Sequence, residues 1–255
     1  MRRVKIQRKR APAGRAALAF LITAMIVFLA VYAFYGEEEA QEKEEVRITR
    51  EITLSGGEGH IVHLGLYEND TDARLACARY MNRGAAGYPM VKDGKYMAAG
   101  NLYERGEDAE EMTALLTERG INCGRYVISA PDVRLRLTGT EENIGTIQKR
   151  YEAYLRTEKE LLKLSEDLDE GRVSLSKANV LISVIRYDAY LSEKGTEKLQ
   201  KENKVLSDML SMFDKGFGAL DFIDEKTDGE MLLSARIKYA AIEMQLARFD
   251  FLNAL

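Results

Sequence analysis

The chain has 255 residues, of which 46% are hydrophobic and 31% charged, a composition that folds and excludes disorder of the whole. Its 37 basic residues against 41 acidic ones give a net charge of -4, so the basic footprint of a nucleic-acid-coating protein is missing. Two cysteines and two histidines are too few for a structural zinc cluster or a disulfide framework, and neither a metal nor a cofactor is expected.

From Ala16 to Tyr35 the sequence AALAFLITAMIVFLAVYAFY runs without a charge. At ~1.5 Å per residue a helix of that length spans a hydrocarbon core of ~30 Å. Residues 1–15 carry Arg2, Arg3, Lys5, Arg8, Lys9, Arg10 and Arg15 with no acid, whereas GEEEAQEKEE comes after the apolar run. The positive-inside rule then keeps this basic tail in the cytoplasm, makes 16–35 a transmembrane signal anchor and exports everything beyond it. A cleavable signal peptide, with Val31 and Ala33 as the small residues of its cleavage site, is the rival reading; the run exceeds the ~7–15 residues of a signal h-region.

Residues 36–57 are acidic and then Gly-rich, and read as a self-repelling tether. Beyond it, composition splits the exported part. Thirteen of the twenty glycines lie between 56 and 145, while the last 110 residues hold five and no proline. Short strands and turns are expected upstream of the boundary near 131–145, and long helices downstream.

The upstream part contains a repeat. Leu66–Gly84 (LYENDTDARLACARYMNRG) aligns without a gap on Leu102–Gly120 (LYERGEDAEEMTALLTERG), with eight identities in nineteen positions. Each copy has a glycine-bearing strand, a polar turn, a helix of about three turns closed by Arg-Gly, and a further strand, GYPMV or CGRYVISA. Two such units in series predict β-α-β-β-α-β over 58–131, a ferredoxin-like α+β arrangement with both helices on one face of a four-stranded antiparallel sheet. Alternation then sends Val62, Leu64 and Leu66, with Met97 and Ala99, toward those helices. It leaves His63, Tyr67 and Tyr96 on an open face, separated by small residues. Aromatic rings with hydrogen-bonding tips suit a sugar or peptide chain laid across a sheet.

The pattern Val-His-Leu-Gly-Leu-Tyr at 62–67, each Asp-Ala helix start, and Gly-Asn-Leu-Tyr closing the third strand resemble the sporulation-related (SPOR) repeat family of peptidoglycan-binding domains. The resemblance covers 58–131, under a third of the chain. It implies the exported domain of a single-span bacterial membrane protein that binds glycan strands stripped of their stem peptides at the division or sporulation septum. Position by position, His63 stands where the family usually has Gln, Gly65 and Tyr67 match its Gly and aromatic positions, and Tyr96 lies where it often has Arg or an aromatic residue. Asn101 replaces its usual Pro and Leu66 its common Ser. His63, Tyr96, Tyr67 and Asn101 are therefore the expected glycan-binding residues. Tyr67 and Tyr103 occupy equivalent repeat positions, which argues that at least one of them packs at a strand end.

No catalytic residue is expected. A general base at His63 would need an orienting partner and a nucleophile, and none is patterned around it. Cys77 falls on an apolar helical stripe with Ala73, Ala76, Tyr80 and Met81 and reads as an inert core thiol. A Cys77–Cys123 disulfide is chemically allowed outside the cytoplasm, but pairing needs Cα atoms within ~7 Å.

Downstream, Thr138 and Glu141 have capping-box spacing, and Ile144, Ile147, Tyr151, Tyr154 or Leu155, Leu161 or Leu162, and Leu168 recur at helical steps as far as Gly171. A second apolar set, Val180, Val184, Tyr187 and Leu191, reaches Gly195. Leu199–Phe213 continues helically. A final helix near 230–253 repeats Leu232, Ala235, Tyr239, Ile242, Leu246 and Phe249 as a coiled-coil type of seam. An antiparallel bundle of three or four helices over 138–255 is expected, with an intermolecular coiled coil as the alternative. The acidic run Glu166, Asp167, Asp169 and Glu170 reads as a solvated helix end rather than a carboxylate pair for glycan cleavage.

Together these expectations describe a non-catalytic envelope protein anchored in the cytoplasmic membrane by one span. Its partners would be peptidoglycan glycan strands and, through its C-terminal helices, a division or sporulation protein; nucleic acid is not among them. The alternative is a membrane-anchored scaffold whose sheet no longer binds glycan. A wall hydrolase or its activator is a weaker third.

Overall fold

The computed structural model describes residues 46–196, 199, 203–224 and 229–255. The basic tail, the apolar run at 16–35 and most of the acidic segment lie outside the described residues. Among the described residues no helix is long and apolar enough to cross a membrane. Residues Arg47–Leu255 form one compact unit.

That unit is mixed α+β, its described residues forming six α-helices and two antiparallel sheets. Strands β2 (Gly57–Tyr67), β3 (Tyr88–Lys92), β4 (Lys95–Tyr103) and β5 (Gly124–Ala130) alternate with helices α1 (Asp70–Met81) and α2 (Gly106–Glu118). Their spatial order is β3-β4-β2-β5, every neighbour antiparallel. The repeat thus yields two strand-helix-strand units whose first strands lie side by side at the centre. Asn69 caps α1, its side chain accepting from the Asp72 amide at 2.9 Å. In the second copy Arg105 stands at the cap and instead pairs with Asp108.

Two further strands lie where the sequence pattern predicts none. β1 (Ile48–Leu54) occupies the expected tether, and β6 (Val133–Gly139) occupies the expected domain boundary. They pair antiparallel, Leu54 opposite Val133 and Ile48 opposite Gly139, and extend the β2–β5 ladder beyond a break at Ser55-Gly56 and Pro131-Asp132. At the break the Gly56 amide donates to Asp132 Oδ1 at 2.8 Å. A Cβ on Gly56 would stand 2.2 Å from the Ala130 carbonyl oxygen, so only glycine fits. The period-2 pattern is visible in VRLRLTG, where Val133, Leu135 and Leu137 pack on the core and the arginines between them face solvent. Six glutamates nearby in sequence mask the same pattern in β1.

The helices are α3 (Glu141–Asp169), α4 (Leu175–Glu193), α5 (Lys204–Gly218) and α6 (Glu230–Asn253), with a 3-10 turn at Ala219–Phe222. Helix α3 starts later than its capping-box pattern suggests. Thr138 is still in β6, and the cap is Thr140, whose hydroxyl accepts from the Asn143 amide. Helix α5 starts at Lys204 rather than near Leu199, capped by Asn203.

In α4 the expected stripe is on the wrong side. Ala178, Ile182, Ile185 and Ala189 are buried against α3, whereas Val180, Val184, Tyr187 and Leu191 face solvent. Both sets recur at three- and four-residue steps, and the side with smaller residues lies closer to α3.

The C-terminal helices do not form a separate bundle. Helix α6 packs on α3 and α5 on one side and on β4 and β5 on the other. Its buried residues therefore run around its circumference: Leu233, Ile237, Ala240, Ala241, Met244, Gln245 and Arg248 lie outside the expected seam. One continuous apolar core joins the sheet, the β1–β6 ribbon and all four of these helices. Tyr154 is fully buried in it, its hydroxyl donating to the Met244 carbonyl at 2.7 Å and its ring edge-on to Phe217 at 5.2 Å.

The buried ion pair Arg248–Glu158 fastens this core to the strand break. Arg248 Nε and Nη2 reach the two carboxylate oxygens at 3.0 and 2.9 Å, and Nη1 donates to the Ser55 carbonyl at 2.7 Å. Tyr151 donates to the same carbonyl at 3.1 Å. A bidentate pair with further carbonyl partners is the geometry in which burial of two charges is compensated.

Candidate functional site

The candidate site is the sheet face turned away from α1 and α2, and its occupancy is decided by strand phase. Gly59 and Ile61 in β2 point to this far face, and Val62 and Leu64 point to the helices, as alternation predicts. Register then shifts twice. One shift falls between Val62 and His63, opposite Gly100; the other falls between His63 and Leu66, at Gly65 with φ 95°. A bulge inserts one residue and so inverts the facing of every later position in the strand. Beyond the shifts, Leu66 opposite Met97 lies on the far face, and Tyr67 opposite Tyr96 lies on the helix face.

The expected site residues are redistributed accordingly. His63 stays on the far face, half-buried beside Gly124 of β5, where a Cβ would meet its Nε2 at 2.7 Å. Burial, reinforced by the charge of Lys95, holds its imidazole below the usual histidine pKa, against an opposing backbone hydrogen bond at Gly65. Tyr67 instead turns toward α1. Its hydroxyl donates to the Leu64 carbonyl at 2.9 Å and neighbours Tyr80, and burial foremost pushes its pKa up. Tyr67 thus packs as the repeat comparison anticipates for at least one of the pair. Tyr96, paired with it, sits on the helix face too. Asn101 lines a cleft on that face together with Tyr103. The four residues do not converge: only His63 lies where all the sheet-face candidates are expected.

Met97 and Ala99, expected under α1 and α2, belong to the far face and the core shared with the C-terminal helices. The alternation rule gives the wrong side for the residues of β4 because Gly100 is a bulge residue rather than an ordinary strand position.

The far face is also not open. Helix α6 crosses it. Gln245 lies over Gly59, where a Cβ would meet its amide at 2.7 Å, and Tyr239 packs on Tyr88 of β3 with ring centroids 4.9 Å apart. Asn253 donates to the Ser129 carbonyl of β5 at 2.9 Å. Near the end of β2 the cover stops, and Leu66 remains 47% exposed. Sequence periodicity misses this arrangement because one apolar seam dominates the pattern of α6; small residues such as Ala240, Ala241 and Ala247 on its other sides are the available signal.

Both cysteines are free. Cys77 is buried under the sheet beside α1's alanines, and burial pushes its thiol up to about 11, consistent with an inert core position. Compared with known proteins, the chain matches no family model, no curated protein and no solved structure.

Proposed function

We propose that the chain is a non-catalytic, membrane-anchored scaffold of a bacterial cell envelope, working in division or sporulation, whose SPOR-type ferredoxin-like sheet has been given over to binding its own C-terminal helices. The observation that carries this reading is α6 lying across the face on which a glycan strand would be docked. With Gln245, Tyr239 and Asn253 seated there, a saccharide chain would have to displace a helix buried almost all round. The α4 stripe supports the same reading. Val180, Val184 and Tyr187 are 61%, 53% and 60% exposed, and with Leu191 their 4-3-4 spacing is the seam that an amphipathic helix of a partner protein would cover.

The test is co-sedimentation of the full chain, in detergent, with peptidoglycan sacculi before and after amidase removal of the stem peptides. The scaffold reading expects no enrichment on either. Enrichment on stripped sacculi that is lost in His63→Ala would replace it with the second reading, a septal glycan reader. That reading is favoured by the uncovered corner where His63 and Leu66 stand, and by the strand order that the family resemblance implies.

A further inference from the structure

A cleft of about 450 Å³ opens on the helix face of the sheet, between α2, the turn after α1, and the ends of α3 and α6. Its lining is largely apolar, made by Val62, Leu64, Met112, Leu116 and Leu168 with the exposed Met231 at the rim. Gly100 keeps it open: a Cβ there would stand 2.9 Å from the Leu64 side chain. Such a concave apolar site with a few polar groups is the usual form of a small-ligand pocket.

The polar groups of the lining fall into two kinds. Lys238 is already committed, its Nζ 2.6 Å from Asp169 Oδ2 and 2.7 Å from the Gly84 carbonyl oxygen. Arg83 and Arg119 are not. Among the described residues neither has an ion-pair partner, whereas Arg74, Arg105, Arg125, Arg172 and Arg248 each meet a carboxylate. These two arginines are also repeat equivalents. Each closes its helix immediately before a left-handed glycine, Gly84 at φ 88° and Gly120 at φ 74°, so the duplication brings two guanidinium groups to one cleft. Asn101 also lines the cleft, but its Oδ1 is shielded from solvent and its side chain is hydrogen-bonded to Tyr103, so the arginines are the groups open to a ligand.

Counting Arg83, Arg119 and Lys238 against Asp169 and Glu230, the lining carries one net positive charge. One carboxylate balances that; a phosphate would overcompensate it. We infer that this cleft binds a small ligand bearing a single carboxylate on a largely apolar body, the carboxylate held by Arg83 and Arg119. An apolar C-terminal residue of a peptide has this chemistry; an N-acylated sugar acid shares the carboxylate on a more polar body. A guanidinium–carboxylate contact is a charge-assisted hydrogen bond and sets the preference for the acid over its amide. The inference stands whether or not the sheet's far face ever meets glycan.

Met112 and Met231 flank the cleft and report on it directly. The experiment is a titration of the full chain, methyl-labelled at methionine, in detergent, monitored by NMR. The probes are N-acetylleucine and its amide, and N-acetylmuramic acid with neutral N-acetylglucosamine as its control. The expected result is saturable movement of the Met112 and Met231 methyls with an acid, about tenfold weaker for its neutral counterpart. The Arg83→Ala/Arg119→Ala chain should lose that preference while the buried Met209 and Met244 methyls keep their positions, which shows the fold intact. Response to one acid only identifies a peptide terminus or a sugar acid as the source. No movement with either acid, equal response to acid and neutral probe, or a preference that survives the double substitution overturns the inference.

Discussion

The two faces of the four-stranded sheet are covered by different means. The helix face receives α1 and α2 from within the repeat, and the helix residues buried there are small, Ala73, Ala76, Cys77 and Ala109, with Val62, Leu64 and Ala98 buried on the strands. It stays partly hollow, with the 450 Å³ cleft beside it. The far face receives α6 from more than a hundred residues away in sequence, and presents Ile61, Met90, Met97 and Ile128 to a continuous core. A face covered locally can be read from the repeat. A face covered from afar is where the molecule stores its cohesion, because helices, ribbon and sheet all meet there.

That contrast can be broken most severely at the far face. Removing the guanidinium with Arg248→Ala leaves Glu158 buried and unpaired and should cost about 3–5 kcal/mol; a urea unfolding midpoint close to the parent's would show that the pair does not fasten α6 to the strand break. Next, Ile61 and Val62 are adjacent and both buried, but they point to opposite faces. Ile61→Ala should cost about 2–5 kcal/mol, while Val62→Ala, losing a smaller side chain beside a cleft that can adjust, should cost about 1–2 kcal/mol. Equal losses in parallel melts would erase the distinction between the faces. A wedge under α6, Gly59→Val, should cost about 1–3 kcal/mol, with hydrogen exchange increasing first in α6 rather than in α1 or α2.

A smaller effect is a pH dependence. His63 in the fold has a pKa below its unfolded value of about 6.5, so the unfolded chain binds the extra proton first as pH falls. Its contribution is fully present above that unfolded value and is lost as pH drops toward the folded one. His63→Gln should flatten the corresponding part of the stability–pH curve, measured by thermal unfolding from neutral to mildly acid buffer. On the solvent side of α4, Val184→Lys with Tyr187→Lys should change stability by about 0.5 kcal/mol or less. A large loss there would mean that this stripe is covered within the chain rather than by a partner.

The elements of the repeat are legible because each is local. IVHLGLY, GYPMV, KYMAAGNLY and the two Arg-Gly helix ends signal strands and caps through their own residues. The helices α3 and α6 are legible from periodicity and the glycines that bound them. What escapes is relational. The sides chosen by Tyr67, Tyr96, Met97 and Ala99 depend on bulges at Gly65 and Gly100, which alternation does not register. The pairing of β1 with β6 joins segments some eighty residues apart, and neither strand has a turn signal linking it to the other.

The sequence by itself thus determined the duplicated strand-helix units, their Arg-Gly helix ends and the long helices, because these arise from backbone preference and short-range period. Only the tertiary structure decided that α6 lies on the sheet, that one stripe of α4 is buried and the other left to solvent, and that two arginines thirty-six positions apart share one cleft. Each of those outcomes depends on which apolar surface finds another, and that competition is settled by shape and packing across the whole molecule rather than within any one segment.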